Sequence, residues 1–317
     1  MIPVVVGSSP IGHPIHLRVK TPPRKWRRPV IAEGATAGEA FVGNVRAALE
    51  QIRANVAGAA VGRDPEYLHQ LRVGVRRLRS TLRAFRGLVR RRRAAAIERP
   101  WRAMMQTLGA ARDWDVFYQS LAVGELRQEA RKRRTEAQRR ARALVHSPGF
   151  ERACRRTFSW AQGHPWRRRA EPAEPLAVFA RRALERLYRG LRASVGGIEW
   201  RDAVRRHRVR IRVKRMRYGC DFFASVFAQQ SARAFLESLR TLQDILGEMN
   251  DIEVQRGLLR RLVPGGSSLK MVEAECAVRE RLVSRERELI AALGPAWAAF
   301  ESRRLFWRRE AAARTRE

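Results

Sequence analysis

Two stretches of the chain, 138 residues apart, carry nearly the same text, and that repetition limits the architectures open to it. HQLRVGVRRLRSTLRAF (residues 69–85) falls on HRVRIRVKRMRYGCDFF (207–223). His69 lies on His207, Arg72 on Arg210, Arg76 on Lys214, Arg77 on Arg215, Arg79 on Arg217 and Phe85 on Phe223. The same shift puts LGAARDWDV (108–116) on LGEMNDIEV (246–254), with Gly109 on Gly247 and Asp113 on Asp251. Two blocks agreeing on one offset point to an internal duplication, with a first repeat over 36–165, a second over 172–310 and a tail at 311–317. A third match, SPGF (147–150) to GPAW (294–297), needs extra residues, and VPGGSSLK (263–270) is a natural place for them.

From about Thr36 onward, Ala, Leu, Arg and Glu recur at spacings of three and four, the rhythm of amphipathic helices. The pattern predicts helices near 37–58, 64–93, 98–110, 113–146 and 148–162 in the first half. In the second it predicts 174–194, 200–227, 231–248, 251–262, 268–293 and 295–309. Asp64-Pro65 and Ser147-Pro148 have the form of helix starts, a capping oxygen followed by a first-turn proline. The LGAARDWD and LGEMNDIE segments read as tight corners, with Asp113 and Asp251 capping the helices that follow. GHPWRRRAEPAEP (163–175) reads as the hinge between halves, and residues 1–35, rich in Pro and Gly, as a flexible basic arm. Long helices with short connections favour antiparallel bundles.

The helix from residue 67 to 85 carries the most information. At 100° per residue, Leu68, Leu71, Val75, Leu78, Leu82 and Phe85 share one arc, which faces the core. His69, Arg72, Arg76, Arg79 and Arg83 share a second, its centre roughly 110° from the first. Arg77 points well away from both. Downstream, Val209, Val213, Met216, Cys220 and Phe223 make the core arc, and His207, Arg210, Lys214 and Arg217 the basic one, which Asp221 ends. A solvated face would mix its charges, whereas here one sign fills a lane beside the core. Like charges at i,i+4 repel by a few tenths of a kcal/mol per pair, roughly, so an anion is expected to neutralise the lane. The competing reading is an internal network in which Asp113, Asp115, Asp251 and Glu253 pair with these arginines.

Charge sets the class of partner. The chain has 66 Lys plus Arg against 31 Asp plus Glu, a net +35 in 317 residues. Such a field draws polyanions. All but five of the bases (Lys20, Lys25, Lys132, Lys214 and Lys270) are arginine, whose planar fork grips phosphate oxygens in pairs. Cys154, Cys220 and Cys276 form no CxxC pair, no apolar run reaches the ~20 residues that span a bilayer, and no secretory signal is recognisable. A reducing cytoplasm is the expected setting.

The blocks YLHQLRVGVRRLRSTLRAF, LGAARDWDV, HRVRIRVKRMRYGCDFF and LQDILGEMNDIEV, in that order, resemble the CHAD family, named for conserved histidines in an α-helical domain. The resemblance runs from about residue 36 to 310. It implies an all-α fold of two antiparallel four-helix bundles, related by a pseudo-twofold axis, with a basic central channel. It also implies binding of inorganic polyphosphate and association with polyphosphate granules. By position it nominates His69, Arg72, Arg76 and Arg79 with His207, Arg210, Lys214 and Arg217, Arg83 having the weaker match because Asp221 stands opposite it. Some relatives carry a CYTH-type triphosphatase, but residues 1–35 hold one acid, Glu33, too few for its ExExK motif.

The expectation is therefore a non-catalytic polyphosphate binder needing no cofactor and no metal. The alternative is a nucleic-acid binder. The charge permits it, although the lanes lack the interleaved aromatics that stack bases. A phosphate-polymer enzyme would need clustered carboxylates or a GK[ST] loop, and neither stands in the sequence. No amphipathic anchor marks a membrane surface, and the oligomeric state is not encoded in any motif.

Overall fold

The computed structural model describes residues 21–163, 165, 166, 171–227, 229–263 and 268–311. Nine α-helices occur among them: α1 (Ala37–Val61), α2 (Pro65–Ala84), α3 (Arg91–Ser120), α4 (Glu125–His146), α5 (Pro148–Gln162), α6 (Leu176–Val195), α7 (Ala203–Phe223), α8 (Gln229–Leu262) and α9 (Leu269–Glu301). Two isolated bridges, Thr36 to Pro175 and Val89 to Trp166, are the extent of β pairing among these residues. No helix among them is long and apolar enough to cross a membrane.

Several starts follow local chemistry. Thr36 and Glu39 close a capping box on α1, each satisfying an amide the helix leaves open. Asp64 accepts the Glu66 amide at 2.8 Å ahead of Pro65. Ser147 accepts the Phe150 amide at 3.2 Å ahead of Pro148. Asp202 caps α7 through the amides of Val204 and Arg205.

Consecutive helices pair, α1 with α2, α3 with α4, α6 with α7 and α8 with α9. Across the halves α2 packs on α7, α3 on α8 and α4 on α9. The six apolar side chains of the α2 arc are buried, as are the five of α7. Phe85 and Phe223 meet at 5.2 Å between ring centroids, and Phe179 stacks on Phe85 at 5.3 Å, so the core is continuous through the α2–α7 contact. Helices α1 and α2 approach closely at Gly74, where a Cβ would stand 2.8 Å from Ile52 Cγ1 and 3.3 Å from the Ala48 carbonyl oxygen.

The boundaries differ from expectation in three places. The predicted corners at LGAARDWD and LGEMNDIE do not exist: α3 and α8 run straight through, and Asp113 and Asp251 lie inside them rather than capping anything. A glycine costs a helix only about 1 kcal/mol against alanine, and buried Leu108, Ala111 and Trp114 hold that stretch of α3 to the core. The predicted break before 295 is also missing, since α9 carries Pro295 internally between buried Leu293 and Phe300. Conversely, the helix expected over 64–93 ends at Ala84, and a new one starts at Arg91.

Within residues 21–35, Arg24 and Trp26 rest against the helices. The Arg24 amide donates to Asn55 Oδ1 at 3.0 Å and its carbonyl accepts from Asn55 Nδ2 at 2.9 Å. The segment leading into α6 is pinned as well, with Ala37 N donating to Glu174 O and Leu176 N to Ala35 O. The rest of the expected arm (1–20), part of the expected hinge (164, 167–170), half of the VPGGSSLK loop (264–267) and residues 312–317 lie outside the described residues.

Candidate functional site

The basic lanes sit where α2 packs on α7, because each is offset on its helix from the arc that builds the core. Arg76 lies close enough to Arg210 and Lys214, and Arg72 to Lys214, for each to depress the other side's proton affinity. Thus Arg72, Arg76, Arg210 and Lys214 are brought together from both halves. The Lys214 amine is pushed down from its usual 10.5 to about 7, by burial first and then by Arg210 and Arg76. Burial likewise lowers Arg72 and Arg210, which Asp113 and Asp251 respectively offset in part. The Nε–H groups of Arg72, Arg76 and Arg210 are buried and meet no acceptor among the described residues. A buried donor without an acceptor costs about 1–3 kcal/mol, so the seam holds unspent hydrogen-bonding capacity.

The histidines stand at the starts of the lanes. His69 is lowered chiefly by burial, with Arg112, Arg76 and Arg72 adding repulsion and Glu66 opposing it. His207 is lowered by burial and by Arg210, against a hydrogen bond with Asn250. Both imidazoles are therefore neutral at pH 7, each able to donate one N–H and accept at the other nitrogen. His207, Arg210 and Asn250 also border a small pocket of about 40 Å³ between α7 and α8.

The two aspartates sequence reasoning assigned to caps belong to this site. Asp113 lies 3.9 Å from Arg72 Nη2. Its carboxyl is raised by burial and by Asp251, against the pull of Arg72, Arg112 and Arg210. Asp115 turns the other way, accepting from Arg134 Nε at 2.6 Å and Gln138 Nε2 at 2.7 Å on α4. Arg112 and Asn250 had not been singled out. They precede Asp113 and Asp251 at the same 138-residue offset, and that was the signal available.

Further along, the lanes part. Arg79 Nε donates to Glu98 Oε1 on α3 at 3.1 Å, and Arg83 Nη2 bonds the same oxygen, so these two arginines have a carboxylate of their own. Arg77, expected to point away, is covered instead. It lies 3.5 Å from Asp221, with Trp26 at 4.5 Å and Tyr218 at 5.5 Å from its guanidinium carbon. Arg217 stands beside it, adding positive charge. Among the described residues no group of three His, Cys, Asp or Glu side chains is placed to hold a metal ion.

An all-helical protein whose two central helices carry cationic lanes beside the core is the class these observations define. The CHAD domain family model matches residues 44–260, and the chain belongs to that family. It is similar to the crystal structure of the CHAD domain from the plant Ricinus communis, with a TM-score of 0.75 and 29% identity over 89% of this chain and 98% of that one. It also shares its fold with PptA from Streptomyces chartreusis, with a TM-score of 0.65 and 16% identity over 83% of this chain and all of that one. No curated protein is similar enough in sequence to count as a relative.

Proposed function

We propose that the α2–α7 seam binds inorganic polyphosphate without breaking it, and that this binding directs the protein to polyphosphate granules in the cytoplasm. The observation that carries the reading is the convergence of Arg72, Arg76, Arg210 and Lys214, whose charges repel one another, with the buried Nε–H donors of the three arginines meeting no acceptor among the described residues. A flexible chain of phosphates supplies acceptors at short intervals and one negative charge per unit, with no base edges to read. Arginine forks take phosphate oxygens in pairs, neutral His69 and His207 add donors at the lane entrances, and Lys214 recovers its proton beside the anion.

Fluorescence anisotropy with end-labelled polyphosphate tests this. Four seam cations predict a log–log salt slope of roughly −3, at ~0.7 counterion per neutralised phosphate. Alanine at Arg72, Arg76, Arg210 and Lys214 together should sharply weaken binding at low salt. Undiminished binding by that variant would refute the reading. Preference for single-stranded DNA at matched charge would replace it with the nucleic-acid one.

A further inference from the structure

A second cationic cluster lies outside the seam. A cavity of about 280 Å³ between α2, α3, α6 and α7 is bordered by Arg83, Arg86, Arg91, Arg186, Arg212 and Arg215, with Glu98 as the one carboxylate among its described lining residues. That carboxylate is already bonded to Arg79 and Arg83. Arg186 donates from Nη2 to the Ala84 carbonyl at 3.2 Å, yet its Nε, like that of Arg215, is buried without an acceptor among the described residues. Arg212 reaches across Gly190, where a Cβ would stand 2.4 Å from its Nη1, so the bare backbone there is what admits the guanidinium. Arg83, Arg212 and Arg86 all press on Arg215, and Arg86 and Arg182 on Arg186.

This cluster breaks the internal repeat. At the 138-residue offset, Asp221 stands for Arg83, Ala224 for Arg86, Gly74 for Arg212 and Ala48 for Arg186. Only Arg215 has a basic counterpart, Arg77, and that one is neutralised by Asp221 and roofed by Trp26. Where Gly190 makes room for Arg212, its counterpart Ile52 fills the space at Gly74 with hydrocarbon. One copy of the arrangement is thus filled by hydrocarbon and a paired arginine, while the other is open and carries six guanidinium groups against a single shared carboxylate.

We propose that this cavity is a second oxyanion site whose occupant is a phosphate group, separate from the α2–α7 seam. The choice of phosphate rests on the polyphosphate reading; the existence of the site rests on the cavity and its uncompensated, partly buried arginines. A phosphate group needs about the space of two or three waters at ~30 Å³ each, so a terminal phosphate and its neighbour fit. A polymer held in the seam would then have one preferred side on which to place its end.

Titration calorimetry of the full chain with inorganic tripolyphosphate at low salt tests this. The wild type should show two sites. Arg186→Gln with Arg212→Gln should lose one and leave the other at wild-type affinity, whereas Arg76→Ala with Lys214→Ala should do the reverse. Wild-type stoichiometry in the Arg186/Arg212 variant overturns the cavity site. Unchanged binding in the Arg76/Lys214 variant overturns the seam and leaves the cavity standing. Glu98→Gln decides the matter without arginine loss: freeing Arg83 should tighten the cavity site about ten- to a hundredfold, as one charge-assisted hydrogen bond is worth. Unchanged or weaker binding there refutes the site.

Discussion

If the α2–α7 seam binds polyphosphate as proposed, Lys214 should make that binding depend on pH above neutrality. In the free protein its amine sits at about 7, against the usual 10.5. Phosphate beside it favours the charged form, so the complex holds more protons than the free protein, and affinity must rise as pH falls. If the anion restores the ordinary value, the proton-ready fraction of free protein drops from about one half at pH 7 to about one hundredth at pH 9. Affinity should therefore weaken about fifty-fold over those two units, while internal phosphates keep their charge and both histidines are already neutral. Lys214→Arg keeps a cation that does not titrate in this range, so the variant should bind at pH 9 nearly as it does at pH 7. Anisotropy titrations at fixed ionic strength compare the two proteins directly. Equal pH slopes in wild type and Lys214→Arg would refute the argument, because they would place the titrating group elsewhere.

Two predictions concern the scaffold. Gly74→Ala sets a Cβ against the Ile52 side chain and backbone and the Ala48 carbonyl, and should cost about 1–3 kcal/mol by overpacking, read as a lower midpoint in denaturant. Glu286 bonds Arg206 Nη2 at 2.6 Å and Arg256 Nη2 at 2.7 Å, with Arg206 almost wholly buried beside His207. Glu286→Gln leaves that charge uncompensated and should cost about 3 kcal/mol; an unchanged melting curve would show the network to be neutral. A third concerns salt: raising it from low to moderate ionic strength should increase the melting temperature of the free protein by screening the seam, while the affinity for polyphosphate falls.

Much of the site was legible because two signals coincide on α2 and α7. The apolar period fixes which way each helix faces, and the lane beside that arc then follows from the wheel without knowledge of any neighbour. What neighbours contribute was not legible. Arg77 looked solvent-facing because its own helix leaves it outside the core arc, yet α7 and residues 21–35 close over it. Glu98 gave no sign that it would hold Arg79 and Arg83 from the next helix. Arg186 and Arg212 lie at positions where the repeat diverges, and similarity between halves draws attention away from such places. Gly109, Gly247 and Pro295 were over-read as stops, since burial on either side outweighs their local cost.

Helices α2 and α7 each do two jobs at once, supplying the hydrocarbon that holds the halves together and the cations that crowd between them. Stripping the crowd should make a sturdier protein: an Arg76 variant loses a repulsive neighbour of Lys214 and Arg210 without losing a core side chain. The unliganded wild type is then the less stable molecule, and under the proposed phosphate-binding role a lineage released from it would drift toward neutral residues along these two stripes.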